Sequence, residues 1–290
     1  MPYRAITIVS VDGRLGEHIG AQYAIIKSAQ ALPGSKMLLL SPERPKKLLD
    51  GIEHVCIKPL GYFDYSIFML YGLHLFIRTD FALIVQHDGW VLNGKNWDDA
   101  YWNYDYIGAP VHIAKVTENG AAEYVRQFRW VDDLDQPNKQ IDIVLNGGFS
   151  LRSRRFLQAL SKHKIAYELP APNAIKGPPY GLHWKSDSQY EDVYLCLNQR
   201  ARLEGLGLKF APLSIAKQFS FEHLHPTLHQ DVDLTKVLGQ HAKFRHLTSL
   251  APLSMTYNFP ENLLSTHHRE PKVAKLLKQL GYQINFFERA

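Results

Sequence analysis

The sequence predicts an α/β fold, a mixed and mostly parallel sheet flanked by helices. Three observations carry this. Short apolar runs recur through the first half, at 5–11, 36–41, 54–59 and 81–87, the pattern of strands buried on both faces. Segments with helical spacing of apolar residues lie between them. Gly, Pro, Asn and Asp mark the joins. Such alternation builds βαβ units.

Taken in order, "AITIVSV" (5–11) is a β-branched strand ended by the turn pair Asp12-Gly13. Residues 16–32, with Leu15 just before them, place Ile19, Tyr23, Ile26 and Ala29 at helical spacing, and Pro33-Gly34 closes that helix. "KMLLLS" (36–41) and "HVCIKP" (54–59) are the second and third strands, and "DYSIFMLYGLHLFI" (64–77) a helix. A fourth strand spans 81–87. The texture changes after 97: an aromatic loop, best read as core, precedes a hairpin-like region (111–140) and a strand at 141–145. A helix from Ser153 to His163, a Pro/Gly-rich loop (168–181), a helix over 186–207 and a strand continuing through 208–225 complete the main domain, 1–225. Residues 226–290 read as a C-terminal extension packed on the core, with helices at 232–243 and 271–280.

Bulk properties narrow the function. With 290 residues, 46% of them hydrophobic, the chain can build a large core. A net charge of +5 and a pI near 9.0, without Lys/Arg runs, favour anionic partners such as nucleotides, phosphorylated sugars or a lipid surface. Peripheral membrane association is compatible with that charge; nucleic-acid binding would want clustered Lys/Arg on one element. The N-terminus lacks the charged and apolar regions of a signal peptide, and no apolar run approaches the ~20 residues that cross a bilayer. The expectation is a soluble, cytoplasmic protein. Cys56 and Cys196 form no CxxC pair and read as small core residues.

Four clusters carry chemistry. In "VQHDGW", a strand ends abruptly on Gln86, His87, Asp88 and Gly89. A carboxylate there can ligate a hard cation that also bridges a diphosphate, and in a regular strand Gln86 and Asp88 would share a face. "GWVLNGKN" mimics a phosphate-binding loop, but its interior is bulky and Asn96 replaces the expected Ser/Thr. In "LNGGFSLRSR", Gly147-Gly148 allow close backbone approach, Phe149 can line a pocket, and Arg152 adds cationic reach. "DSQYEDVYLC" sets Glu191 and Asp192 at a helix start, where an acid can serve as general base or simply complement the helix dipole. "FSFEHLHPTLH" offers Glu222, His223, His225 and His229; histidines two apart on an extended segment can share a metal, and a single one, His223 or His225, can complete a metal site begun by Asp88.

The blocks "LIVQHDGWVLN", "YDYIGAP", "NGGFSLRSR", "EDVYLC" and "FAPLSIAKQFSFE" occur in an order that resembles the DUF5672 group, over roughly 60–225. The resemblance implies a GT-A-like, Rossmann-like domain and a nucleotide-sugar-dependent glycosyltransferase, metal-assisted and inverting, in polysaccharide or glycan assembly. It implies Mn2+ or Mg2+ as cofactor, a nucleotide-sugar donor, and a glycan or glycolipid acceptor. Carried over, Asp88 is the metal-binding acid, with Gln86 where a DxD motif has its first Asp; Gly147, Gly148 and Phe149 shape the sugar pocket; Asp192, beside Glu191, is the base; and His223 or His225 is the late metal ligand. Because Gln86 replaces an acid, the alternative is a non-catalytic nucleotide- or sugar-binding module.

Overall fold

The computed structural model of the protein describes residues 3–267 and 269–287. β1 (Ile6–Val11) and β2 (Lys36–Ser41) form where expected, β3 (Ile52–Cys56) begins two residues before the expected 54–59, β4 (Phe81–Ile84) stops short of the expected residue 87, and the four pair in parallel. Ile6 and Ile8 face one core layer while Val9 and Val11 face the other, and Leu83 and Ile84 repeat that division on β4. Both faces are covered, so the strands read as unbroken apolar runs. α1 (Ile19–Ala31) covers the first face with Ala24 and Ile25; α2 (Tyr62–Tyr71) covers the second with Met69.

The chain then turns back as β5 (Gly89–Val91) and reaches β6 (Tyr106–Glu118), β7 (Ala121–Val125) and β8 (Lys139–Ser153). The sheet has seven strands in the order β3-β2-β1-β4-β8-β6-β7, and from β4 onward every pairing is antiparallel. It is therefore mixed, and parallel only in its first half. At the β6–β7 edge the cause is local: Asn119 and Gly120 both adopt positive φ, 49° and 81°, the pair that closes a two-residue hairpin. The strand expected at 141–145 is part of the first half of β8. The aromatic stretch packs inward, with Trp97 against Tyr3, Tyr101 and Trp102.

α3 (Arg154–Lys162) begins where the Ser153 hydroxyl accepts the Phe156 N–H. A small hairpin, β9 (Ala174–Lys176) with β10 (Gly181–His183), interrupts the Pro/Gly-rich loop. The helix expected over 186–207 is broken: α4 (Glu191–Val193) passes into a π-helical turn at Tyr194–Asn198 and then α5 (Arg200–Gly205). Residues 208–225 are mostly not a strand. Pro212 precedes α6 (Leu213–Phe219), which buries Ala216 and Phe219 at helical spacing, and β11 is just Ser220–Phe221.

The helix expected at 232–243 gives way to a short turn and β12 (Gly239–His241), which lies between β11 and β5. Tertiary pairing decides this, since the Gln240–Trp90 register with β5 occupies backbone groups a helix would need. β13 (Arg245–Leu250) and β14 (Leu253–Tyr257) form a hairpin, α7 (Glu270–Gln279) matches the expected last helix, and β15 (Gln283–Phe286) pairs in parallel with β14. The residues after 225 share the main core: Trp90 Nε1 donates to the Tyr282 hydroxyl at 2.7 Å, fully buried. Cys196 is buried as expected; Cys56 is exposed at the sheet edge, where β3 has no outer neighbour. Among the described residues no helix is long and apolar enough to cross a membrane.

Candidate functional site

β1 leads through α1 to β2 on one side, while β4 lies on its other side. The carboxyl ends of β1 and β4 therefore flank a topological switch point, the place where open α/β sheets leave a crevice. A cavity of about 260 Å3 opens there, lined by Asp12, Gly13, Arg14, Tyr62, Gln86 and His87. A neighbouring hollow of about 440 Å3 shares Asp12, Arg14 and His87 and adds His18 and His246.

Asp12 anchors the crevice. Burial alone would raise its carboxyl, but Arg14 at 2.9 Å and His18 at 3.1 Å together hold it down at about 2. The hydrogen bond to Asp12 in turn raises Arg14 and keeps it cationic. Burial lowers His87 from its ordinary value, against the pull of Asp88.

Gln86 to Gly89 form a tight turn. The Gln86 N–H donates to the Gly89 carbonyl at 3.0 Å and the Gly89 N–H donates back at 2.9 Å. Gln86 and Asp88 thus stand across a turn instead of sharing a strand face, because β5 folds back to meet β12. Asp88 is buried, and its Oδ1 has no hydrogen-bond partner among the described residues. The nearest imidazoles are His241, Nε2 at 3.5 Å, and His87, Nδ1 at 3.8 Å. Gln86 Oε1 lies 3.4 Å from the same His241 nitrogen, while its Nε2 donates to the Tyr65 hydroxyl at 2.8 Å.

The imidazole set against Asp88 is therefore that of His241, not His223 or His225. His223 packs on Phe244 and lies 3.7 Å from Glu222. His225 packs on Phe128, and its Nδ1 accepts the Leu228 N–H at 3.4 Å. Among the described residues no group of three or more His, Cys, Asp or Glu side chains is spaced to hold a metal unaided. The solvent-shielded, unsatisfied Asp88 oxygen and the facing His241 do fit a cation that takes its other ligands from a bound substrate.

The floor of the site is a bulge in β8. Gly108 pairs with Ser150 and Pro110 with Leu145, so Asn146 to Phe149 leave the ladder, as strands often do beside a site. Asn146 Oδ1 accepts the Phe149 N–H at 3.0 Å, and its Nδ2 donates to Glu222 at 2.9 Å. The two glycines at the bulge let side-chain ends from both sides approach the backbone closely. A Cβ on Gly147 would strike the Glu191 carboxylate and approach Arg152; one on Gly148 would strike His241 and lie 2.7 Å from Gln86 Oε1. The pair separates the Asp88 corner from the acids of α4.

On that far side the Gly147 N–H donates to Asp192 Oδ2 at 3.2 Å and the Val193 N–H to Asp192 Oδ1 at 2.8 Å. Burial, then the charge of Glu191, pushes the Asp192 carboxyl up to about 8. Glu191 is committed elsewhere: Arg152 Nη2 donates to its Oε1 at 2.8 Å, both side chains being buried. Arg152 also contacts the Ser150 and Tyr106 hydroxyls. The expected reach of Arg152 toward a ligand is thus absent: its side chain is buried, with Nε and Nη2 engaged inside the protein. Phe149 likewise lies in the core against Phe219, not in a pocket wall.

Asp12, Arg14, His18 and His241 were not singled out as site residues by the sequence. Asp12 had a signal, a carboxylate at the end of the first strand, hidden by its reading as a turn. His241 had none, since β12 exists through its pairing with β5. The model of the family described as "Protein of unknown function (DUF5672)" matches residues 65–241. No curated protein matches the chain. The matched region runs from Tyr65, beside Gln86, to His241, opposite Asp88, and the chain belongs to the DUF5672 family.

Proposed function

We propose that the protein is a GT-A-like glycosyltransferase that moves a sugar from a nucleotide-sugar donor to a hydroxyl of a glycan or glycolipid. The observation that carries this reading is a crevice at the β1/β4 switch point with the unsatisfied Asp88 oxygen beside it and Asp192 across the glycine pair. The donor diphosphate is placed at the strand ends, where Arg14 offers a permanent cation and the His87 ring a neutral donor.

Asp88 and His241 would hold a divalent cation, Mn2+ or Mg2+, with the diphosphate, and Gln86 contributes a neutral amide. When bound, such a cation supplies charge compensation to the departing diphosphate. Asp192 takes the proton from the acceptor hydroxyl as its oxygen attacks the anomeric carbon; the sugar–phosphate bond breaks and its electron pair leaves with the nucleotide. A carboxyl tuned toward neutral pH suits a general base, and attack opposite the leaving group inverts the anomeric centre. Glu191, held by Arg152, acts on Asp192 by charge and needs no contact with substrate.

The test is thermal shift against UDP, GDP, CMP and dTDP, each with and without manganese. Stabilisation by one nucleotide that depends on metal and is lost in Asp88→Ala is expected; no shift under any condition counts against the reading. The neutral Gln86 favours a second reading, a binding module without catalysis. Nucleotide binding of ordinary affinity with no sugar transfer or donor hydrolysis would select it.

A further inference from the structure

Between α3 and α4 the chain leaves the body as an arm. Every residue from Pro170 to Leu182 is exposed. The arm is nevertheless stapled at its root. Trp184 Nε1 donates to the Pro170 carbonyl at 2.6 Å, and the Lys185 N–H donates to Asn173 Oδ1 at 2.7 Å. Arg126 clamps it to the body through the Lys185 carbonyl at 2.7 Å and Asp187 at 2.6 Å.

What this ordered hairpin holds out is apolar. Tyr180 is 81% exposed, Ile175 69% and Leu182 59%. Ile175 and Leu182 are directly opposite in register and so share one face. The adjacent positions Lys176 and His183 lie on the other. Between Glu168 and Asp187 the chain carries no carboxylate, while Lys176 and Lys185 supply positive charge. Single exposed hydrophobic residues are ordinary; three on one stapled, acid-free arm are not.

This composition matches an anionic lipid interface. A tyrosine seats its ring at headgroup level, aliphatic side chains enter the acyl boundary, and lysines meet the negative surface. The cross-strand pairing of β9 and β10 limits the backbone left bare on entry. A tip of three large side chains falls short of the roughly 800 Å2 per partner of a stable protein interface, whereas a lipid surface needs no complementary shape. We propose that the arm, residues 170–185, docks the protein on an anionic lipid surface. Its root continues through Tyr190 into α4, so docking brings the Asp192 end of the molecule toward that surface. The proposal stands whether or not the transferase reading does.

The experiment is co-sedimentation of the full chain with vesicles of phosphatidylcholine alone and of phosphatidylcholine with phosphatidylglycerol. Wild type is expected to pellet with the anionic vesicles, less so in high salt, and not with neutral ones. The triple substitution Ile175→Ser, Tyr180→Ser, Leu182→Ser should lower the bound fraction about tenfold with an unchanged melting temperature, as these side chains touch solvent. Lys176→Glu with Lys185→Glu should remove the salt-sensitive part. Wild type remaining in the supernatant with anionic vesicles, or the triple variant binding as well as wild type, overturns the proposal. A wild-type dimer in solution that becomes a monomer in the triple variant also overturns it, assigning the arm to a contact between copies.

Discussion

Asp192 lies where burial and the charge of Glu191 both oppose ionisation, and together they push its carboxyl up to about 8. In the unfolded chain the same group loses its proton near 4. As pH rises between those values the unfolded state gives up a proton that the folded state keeps, so stability falls. Asp192→Asn removes that penalty: its stability should equal wild type near pH 4 and exceed it increasingly as pH rises toward 9, read by urea titration at both pH values. Turnover should move the opposite way, dropping about 10²–10⁴-fold in the variant, while in wild type it climbs as pH passes through 8. Unchanged turnover in Asp192→Asn removes the residue from the chemistry. Arg152 poses a different problem, a guanidinium with 1% side-chain exposure. Arg152→Met strands the Glu191 charge in the interior and should cost about 3–5 kcal/mol, seen as a lower denaturation midpoint.

At the scale of elements, the β8 bulge and β12 form the site together. Gly148 marks where they touch, since any Cβ there meets His241. Gly148→Ala should displace His241 and weaken metal-dependent nucleotide binding more than it lowers the melting temperature; calorimetry and thermal melts on the same preparation separate the two. His241→Ala should weaken that binding as Asp88→Ala does, while His225→Ala, whose ring packs on Phe128, should leave it intact. The start of α3 supplies a control remote from this chemistry. Ser153 accepts the Phe156 N–H at 3.1 Å, so Ser153→Ala should cost about 1 kcal/mol and leave nucleotide binding unchanged.

For the whole molecule, the region after 225 decides the architecture. It contributes β12 to the sheet that holds Trp90, provides the Tyr282 hydroxyl to the buried indole, and places Arg245 under the Glu222 carbonyl. A chain ended at residue 225 should therefore show no cooperative melt, and a folded, nucleotide-binding product of that length would refute a shared core. The mixed sheet has its own consequence. Its parallel half ends in the crevice and its antiparallel half supplies the bulge, so the site straddles the change of strand direction between β4 and β8.

Local pattern made the first four strands, α1, α3 and α7 legible, because each must bury a stripe or face and its apolar period records that. The Asp88 turn, the paired glycines and the acids of α4 were legible as chemistry, because polar residues packed into short blocks have few other uses. Their roles were not. Phe149 and Arg152 look alike in sequence whether they line a pocket or fill a core, and the structure buries both. The segment 208–225 reads as a strand until Pro212 and the packing of Ala216 and Phe219 turn it into a helix. The sequence by itself determined an α/β protein with a polar strand end, a glycine pair and two adjacent acids. The tertiary structure decided that His241 faces Asp88, that Glu191 belongs to Arg152, and that Asp12 and Arg14 share the crevice. Those are encounters between distant segments, set by strand pairing and core packing, and no local period encodes them.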